Sequence, residues 1–129
     1  MSDPVWIDER LVLAVHEQLL VRHGGARGVR DLGLLQSALA RPQQLAAYGD
    51  DSDLVALAAT LTAGIVKNHP FVDGNKRTGF LAGILFLELN GAEFTASEEA
   101  ATQAVLALAS GEAGEDAYRE FLRKNLKEG

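Results

Sequence analysis

Residues 75–90 read Asn75-Lys76-Arg77-Thr78-Gly79-Phe80-Leu81-Ala82-Gly83-Ile84-Leu85-Phe86-Leu87-Glu88-Leu89-Asn90. No two-residue alternation runs through them. Phe80, Leu81, Ile84, Leu85, Phe86, Leu87 and Leu89 instead cover every side of a helix with 3.6 residues per turn. Gly91 follows as a C-terminal stop. A helix that is apolar all round belongs in an interior, so 75–90 is predicted as a central buried helix with others packed around it.

Working outward, the rest of the chain has helical spacing and almost no strand pattern. Asp8 is an N-cap, and Ile7 can staple onto Val12. Leu11, Val12, Val15, Leu19 and Leu20 then make one apolar stripe, closed by Gly24-Gly25. Asp31 caps a second, shorter helix carrying Leu32, Leu35 and Leu39, predicted to stop before Pro42. Residues 42–52 read as a loop or short hairpin. The cluster Asp50-Asp51-Ser52-Asp53 opens a third helix whose small residues (Ala56, Ala58, Ala59, Ala63, Gly64) suit close packing. It ends near His69, ahead of Pro70. Ser97 caps a fifth helix, with Glu98 and Glu99 in its first turn. Tyr118, Phe121, Leu122 and Leu126 mark a sixth. The expectation is an all-α chain of about six helices, one domain over 1–129.

Composition narrows the function classes. At 129 residues and 47% apolar, the chain can bury one core. It has no cysteine, which excludes disulfides, thiol catalysis and cysteine-ligated zinc. Only 23% of residues are charged, so wholesale disorder is not expected. Met1 to Glu9 lacks the apolar core of a signal peptide, and Phe80 to Leu89 is about half a membrane crossing. A cytoplasmic protein without a membrane role is expected. The net charge of −6 argues against direct nucleic-acid binding.

One segment breaks ordinary helix rules: His69-Pro70-Phe71-Val72-Asp73-Gly74-Asn75-Lys76-Arg77-Thr78. Lys76 and Arg77 fall in the first turn of the central helix, where cations oppose the helix dipole by about 0.3–1 kcal/mol each when exposed. A bound anion would compensate, received by free backbone N–H groups and both cations. Gly74 lets the backbone come close to such a ligand. His69 is the residue type that takes a proton from a hydroxyl near neutral pH. A lone Asp73 beside phosphates is a natural magnesium ligand. Together these point to phosphoryl or nucleotidyl transfer, in which positioning and charge stabilisation carry most of the catalysis. No Walker-type G-x-x-x-x-G-K-[ST] is present. Each residue also has a plainer reading: a structural histidine, solvated cations, a common Asp-Gly turn. It is their coincidence that favours an anion site.

The segment resembles the Fic/Doc signature H-x-F-x-[DE]-[AG]-N-[GK]-R without a gap from His69 to Arg77. Gly24-Gly25, Asp31-Leu32-Gly33-Leu34-Leu35, Ala40-Arg41-Pro42, Lys67-Asn68-His69-Pro70-Phe71 and Leu87-Glu88-Leu89-Asn90-Gly91 resemble its death-on-curing (Doc) branch. Fic enzymes that transfer AMP usually read H-P-F-x-x-G-N-G-R-x-x-R. Here Lys76 stands at their second glycine and Phe80 at their second arginine, as in Doc. The resemblance implies a Doc-like toxin of a type II toxin–antitoxin pair, using ATP and magnesium. The γ-phosphate would go to a threonine or serine hydroxyl, for Doc a threonine of elongation factor Tu, stopping translation. Carried over by residue, His69 is the base and Asp73 holds magnesium. Asn75, Lys76 and Arg77 cradle phosphates with the Gly74 backbone. Some Doc sequences have a polar residue one turn past the motif, where this chain has Leu81. Arg41, Pro42 and Tyr48 lie where related folds carry a target-docking flap.

Many Fic proteins carry an inhibitory helix, [ST]-x-x-x-E-[GN]. Only Thr95 with Glu99 comes near it, and Ala100 follows where Gly or Asn is needed. Inhibition is therefore expected in trans, from an antitoxin. His16 and His23 read as surface or structural, and Trp6 as a packing anchor. Two alternatives stand beside the phosphotransferase: a Fic-type AMP-transferase, and a non-catalytic module that binds an antitoxin and modulates its DNA binding.

Overall fold

A computed structural model describes residues 3–49 and 53–128. Among these residues six helices follow in order: α1 Glu9–His23, α2 Leu32–Tyr48, α3 Leu54–Asn68, α4 Asn75–Leu89, α5 Glu98–Ser110 and α6 Glu115–Lys124. Two short strands, β1 Ala92–Phe94 and β2 Leu126–Glu128, pair antiparallel. The chain is all-α, as its periodicity requires. No helix among the described residues is long and apolar enough to cross a membrane.

Caps set the helix starts where the sequence puts them. Asp8, Asp31, Asp53 and Ser97 each accept a backbone N–H of the first turn, from Leu11, Leu34, Ala56 and Ala100. Asp50, Asp51 and Ser52 lie outside the described residues.

The centre is shared by α3 and α4, and α3 is the more deeply buried. Every α3 residue from Val55 to Val66 is buried, while Leu89 of α4 is half exposed. α3 packs on α2, α4, α5 and α6. Small residues make this possible. A Cβ on Gly64 would stand 3.0 Å from that of Ala38 in α2, and one on Gly79 would stand 3.2 Å from the Thr62 carbonyl. A Cβ on Gly83 would fall on the Thr62 hydroxyl. That hydroxyl donates instead to the Gly79 carbonyl at 2.7 Å.

Two expectations are corrected. α2 does not stop before Pro42; it runs through it to Tyr48, and 42–48 is helix rather than loop. Proline removes one ladder N–H and crowds the Ala38 carbonyl. Tertiary packing outweighs that local cost here: Pro42 is buried, and Leu45 and Ala46 pack against the core. Arg41 and Tyr48 accordingly sit on a helix, Arg41 paired with Glu115 at 3.2 Å and Tyr48 exposed. The second correction is Leu126, which belongs to β2 and pairs with Phe94. α6 ends at Lys124 with Asn125 as its C-cap, and Phe94 packs edge-on against Phe80 and Phe121. Thr95 follows β1 and bonds the Asn125 carbonyl, so it starts no inhibitory helix.

Candidate active site

The turn between α3 and α4 is built as a set of backbone clamps. α3 terminates on His69, whose backbone is left-handed (φ 52°, ψ 56°), the only non-glycine residue with positive φ among those described. Its N–H donates to the Ile65 carbonyl at 3.2 Å. Arg30 fixes this end from outside: Nε donates to the His69 carbonyl at 2.7 Å and Nη2 to the Asn68 carbonyl at 2.8 Å. A cation on the last carbonyls of a helix also suits the dipole. The Pro70 carbonyl accepts from Arg30 N and Asp31 N, and Val72 N donates to the Gly28 carbonyl. The 69–72 segment is thereby stitched to the chain entering α2.

Asn75 holds the inside of the turn. Its Oδ1 accepts from Phe71 N and its Nδ2 donates to the Phe71 carbonyl, both at 2.9 Å. Asn75 is buried, and its Nδ2 also lies 3.4 Å from His69 Nδ1, at the long limit of a hydrogen bond. The amide is thus engaged with the turn. Phe71, fully buried, is the core anchor its residue type suggests.

The exposed rim carries the charges. Asp73 Oδ1 accepts from Gly74 N at 2.9 Å, and Oδ2 accepts from Ala26 N at 3.2 Å. Gly74 is the N-cap of α4 with φ 79°, and it offers no side chain to the first-turn N–H groups. Lys76 and Arg77 are exposed and form no ion pair among the described residues. α6 also starts on a glycine, but with Glu115 and Asp116 in its first turn. Among the described residues only α4 joins an uncapped N-terminus to cations, an arrangement suited to an anion.

His69 and Lys76 line one open cleft of about 670 Å³ together with Gln103 and Ser110 of α5 and Glu112 just beyond it. Asp73, Gly74 and Arg77 are not part of its lining; Asp73 and Gly74 lie in the turn after His69 and Arg77 in the first turn of α4. Among the described residues no three His, Cys, Asp or Glu side chains gather as a metal cage. A metal at Asp73 would rest on one carboxylate, water and ligand oxygens, which fits magnesium.

The sequence model of the Fic/DOC family matches residues 6–87, from Trp6 into the last turn of α4. The chain belongs to the Fic/Doc family. It is 34% identical over 113 residues to a protein named "Protein kinase doc" from Escherichia phage P1, covering 88% of this chain and 89% of that one. It is 45% identical over 78 residues to "Toxin Doc" of Mycolicibacterium smegmatis, covering 59% of each. These relatives place it in the Doc branch.

Three parts of this Fic/Doc site are not evident from residue type. Arg30 is one, because its partners are backbone carbonyls on a distant segment. The Ala26 N–H is another, since any residue but proline could supply it. The third is His16, which is 3% exposed and stacked on Phe71 with ring centroids 3.8 Å apart. A signal for its burial existed: His16 lies four residues from both Val12 and Leu20, inside the apolar stripe. His23 is exposed, as expected, and Trp6 stacks on Phe86.

Proposed function

We propose that this chain is the toxin of a toxin–antitoxin pair and transfers the γ-phosphate of ATP to a threonine or serine hydroxyl of a protein, with elongation factor Tu as the target. The observation that carries this is the start of α4. An uncapped helix N-terminus, Lys76 and Arg77 face outward beside His69 and Asp73, in a chain of the Doc branch. The N–H groups of Asn75, Lys76 and Arg77 and the two cations would receive the phosphates. Lys76 adds charge where the more usual Fic glycine adds none, which favours the terminal phosphate at this end. Magnesium at Asp73 would neutralise phosphate charge.

The acceptor oxygen forms the new bond to the γ-phosphorus, and its proton passes to the His69 imidazole. The bond from that phosphorus to the β–γ bridging oxygen breaks, and ADP departs with the electron pair. Arg30 and Asn75 keep the His69 turn in place; the open cleft beside it admits the acceptor segment. A cytoplasmic location follows from that target. Inhibition comes from an antitoxin in trans, because no inhibitory helix is encoded among the described residues.

The test is incubation of the purified chain with magnesium, ATP and a bacterial extract. The wild type should label a protein, and His69→Ala should lose roughly 10²–10⁴ in rate. Both should melt higher with magnesium-ATP, by linkage worth about 2.7 kcal/mol at 100 Kd. No melting shift in either protein would remove the nucleotide site. A shift without transfer would leave a binding module. Expression of the chain alone should arrest growth of a susceptible bacterium.

A further inference from the structure

We propose that His16, on α1 and outside the signature segment, is a positioning residue that sets Asp73 for metal binding. The inference rests on reading Asp73 as the magnesium ligand. His16 Nε2 lies 2.8 Å from the Asp73 carbonyl oxygen. A carbonyl only accepts, so Nε2 carries the proton, and the neutral ring is the Nε2–H tautomer. The ring plane is fixed by Phe71, stacked on it with 12° between planes. Phe71 is itself held at both backbone atoms by Asn75. An apolar residue would fill this place between Val12 and Leu20 equally well; a histidine there adds one directed donor, and it points at the residue that follows Val72 in the turn.

The other end of Asp73 is held by the exit of α1. Ala26 N–H donates to Oδ2, and the missing side chain of Gly25 leaves the room: a Cβ there would stand 2.9 Å from that oxygen. Gly25 has φ 122°, which side-chain-bearing residues rarely adopt. Gly74, next in the turn, packs so that a Cβ would be 3.7 Å from the His16 ring. Asp73 is exposed, and among the described residues no side chain bonds its carboxylate. Backbone groups and α1 therefore set its direction: Gly74 N–H holds Oδ1, Ala26 N–H just past α1 holds Oδ2, and His16 of α1 fixes its peptide. Groups that orient a ligand without touching the metal change metal affinity by about 10–100-fold when removed.

The experiment uses the full chain in two measurements. The first is ¹H–¹⁵N NMR of the His16 ring in metal-free protein, where Nε2–H is expected. The second is Mn²⁺ binding in the presence of ATP, followed by electron paramagnetic resonance, for wild type, D73N, H16F, H16Q and G25A. H16F keeps the stack and removes the donor, so Mn²⁺ should bind about 10-fold more weakly or worse. H16Q, whose amide N–H₂ can reach the same carbonyl, should return to within about 3-fold of wild type. G25A, on an exposed loop, should weaken binding by crowding Asp73 Oδ2 beside Ala26; if H16F folds poorly, the ring tautomer of the wild type decides the His16 role. An Nδ1–H tautomer overturns the proposal. So does wild-type affinity in both H16F and G25A while D73N binds weakly. Wild-type affinity in D73N would instead remove the metal from Asp73 and overturn that part of the proposed function, with the His16 role in metal binding falling alongside it.

Discussion

His69 is the residue at which chemistry and backbone are set against each other. Its left-handed conformation is unfavourable for a side chain other than glycine or asparagine, by about 1–2 kcal/mol. The surroundings that impose it are the Arg30 bonds to the Asn68 and His69 carbonyls and the Asn75 amide behind the turn. His69→Asn should therefore melt at or above wild type while transfer falls by roughly 10²–10⁴. A mutant that melts well below wild type would mean that the imidazole holds the turn together. Arg30→Ala should cost about 1 kcal/mol, read by denaturant unfolding, and slow transfer. Arg30→Lys should recover little, since one ammonium cannot reproduce the fork to two carbonyls. The charged residues of this site were legible in the sequence because they violate the dipole rule at the start of α4. The clamps behind it were not: Arg30 and the Asn75 side chain bond backbone atoms, and nothing in residue type announces a backbone partner.

At the level of elements, the joint between α3 and α4 decides where the turn sits. The two helices approach through Gly79 and Gly83, and the buried Thr62 hydroxyl occupies the space a Gly83 methyl would need. Gly83→Ala should destabilise the fold by roughly 1–3 kcal/mol through overpacking, measured as a fall in melting temperature. An unchanged melting temperature would show that the helices can slide apart freely. This close approach was legible from the run of small residues in 56–64. The second half of α2 was not, because a proline rule is local and Pro42 is held in helix by contacts the sequence does not display. Nor was the strand pair: at three residues each, Ala92–Phe94 and Leu126–Glu128 are too short to show alternation. Leu126 therefore looked like one more apolar position on α6.

For the whole molecule, one partly buried cluster ties α6 to the core. Glu115 accepts from Thr60, Arg41 and Arg119. Burial pushes its carboxyl up, but the Thr60 hydroxyl and the two guanidiniums outweigh this and hold it below its ordinary 4.5. A lowered folded pKa gives stability that is complete above the unfolded value and is lost as pH falls through the folded one. Glu115→Gln should therefore be less stable than wild type at neutral pH, with the gap closing in melting scans as pH falls below the ordinary 4.5 and through the lowered folded value. A gap that stays constant with pH would place the effect in packing. The proposed reaction would be a property of the assembled molecule, since the cleft is lined by His69 from the α3–α4 turn, Lys76 of α4 and the C-terminal half of α5, while α1 and the entry to α2 hold the turn from behind. The direct measurement of it is transfer from ATP labelled at either the γ- or the α-phosphate, with magnesium and bacterial extract, for wild type and Lys76→Gly. The wild type should move only γ label, to a protein band identified as elongation factor Tu, and Lys76→Gly should weaken or abolish that transfer. Transfer of α label to protein by the wild type would contradict the phosphotransfer reading and make this chain an AMP-transferase.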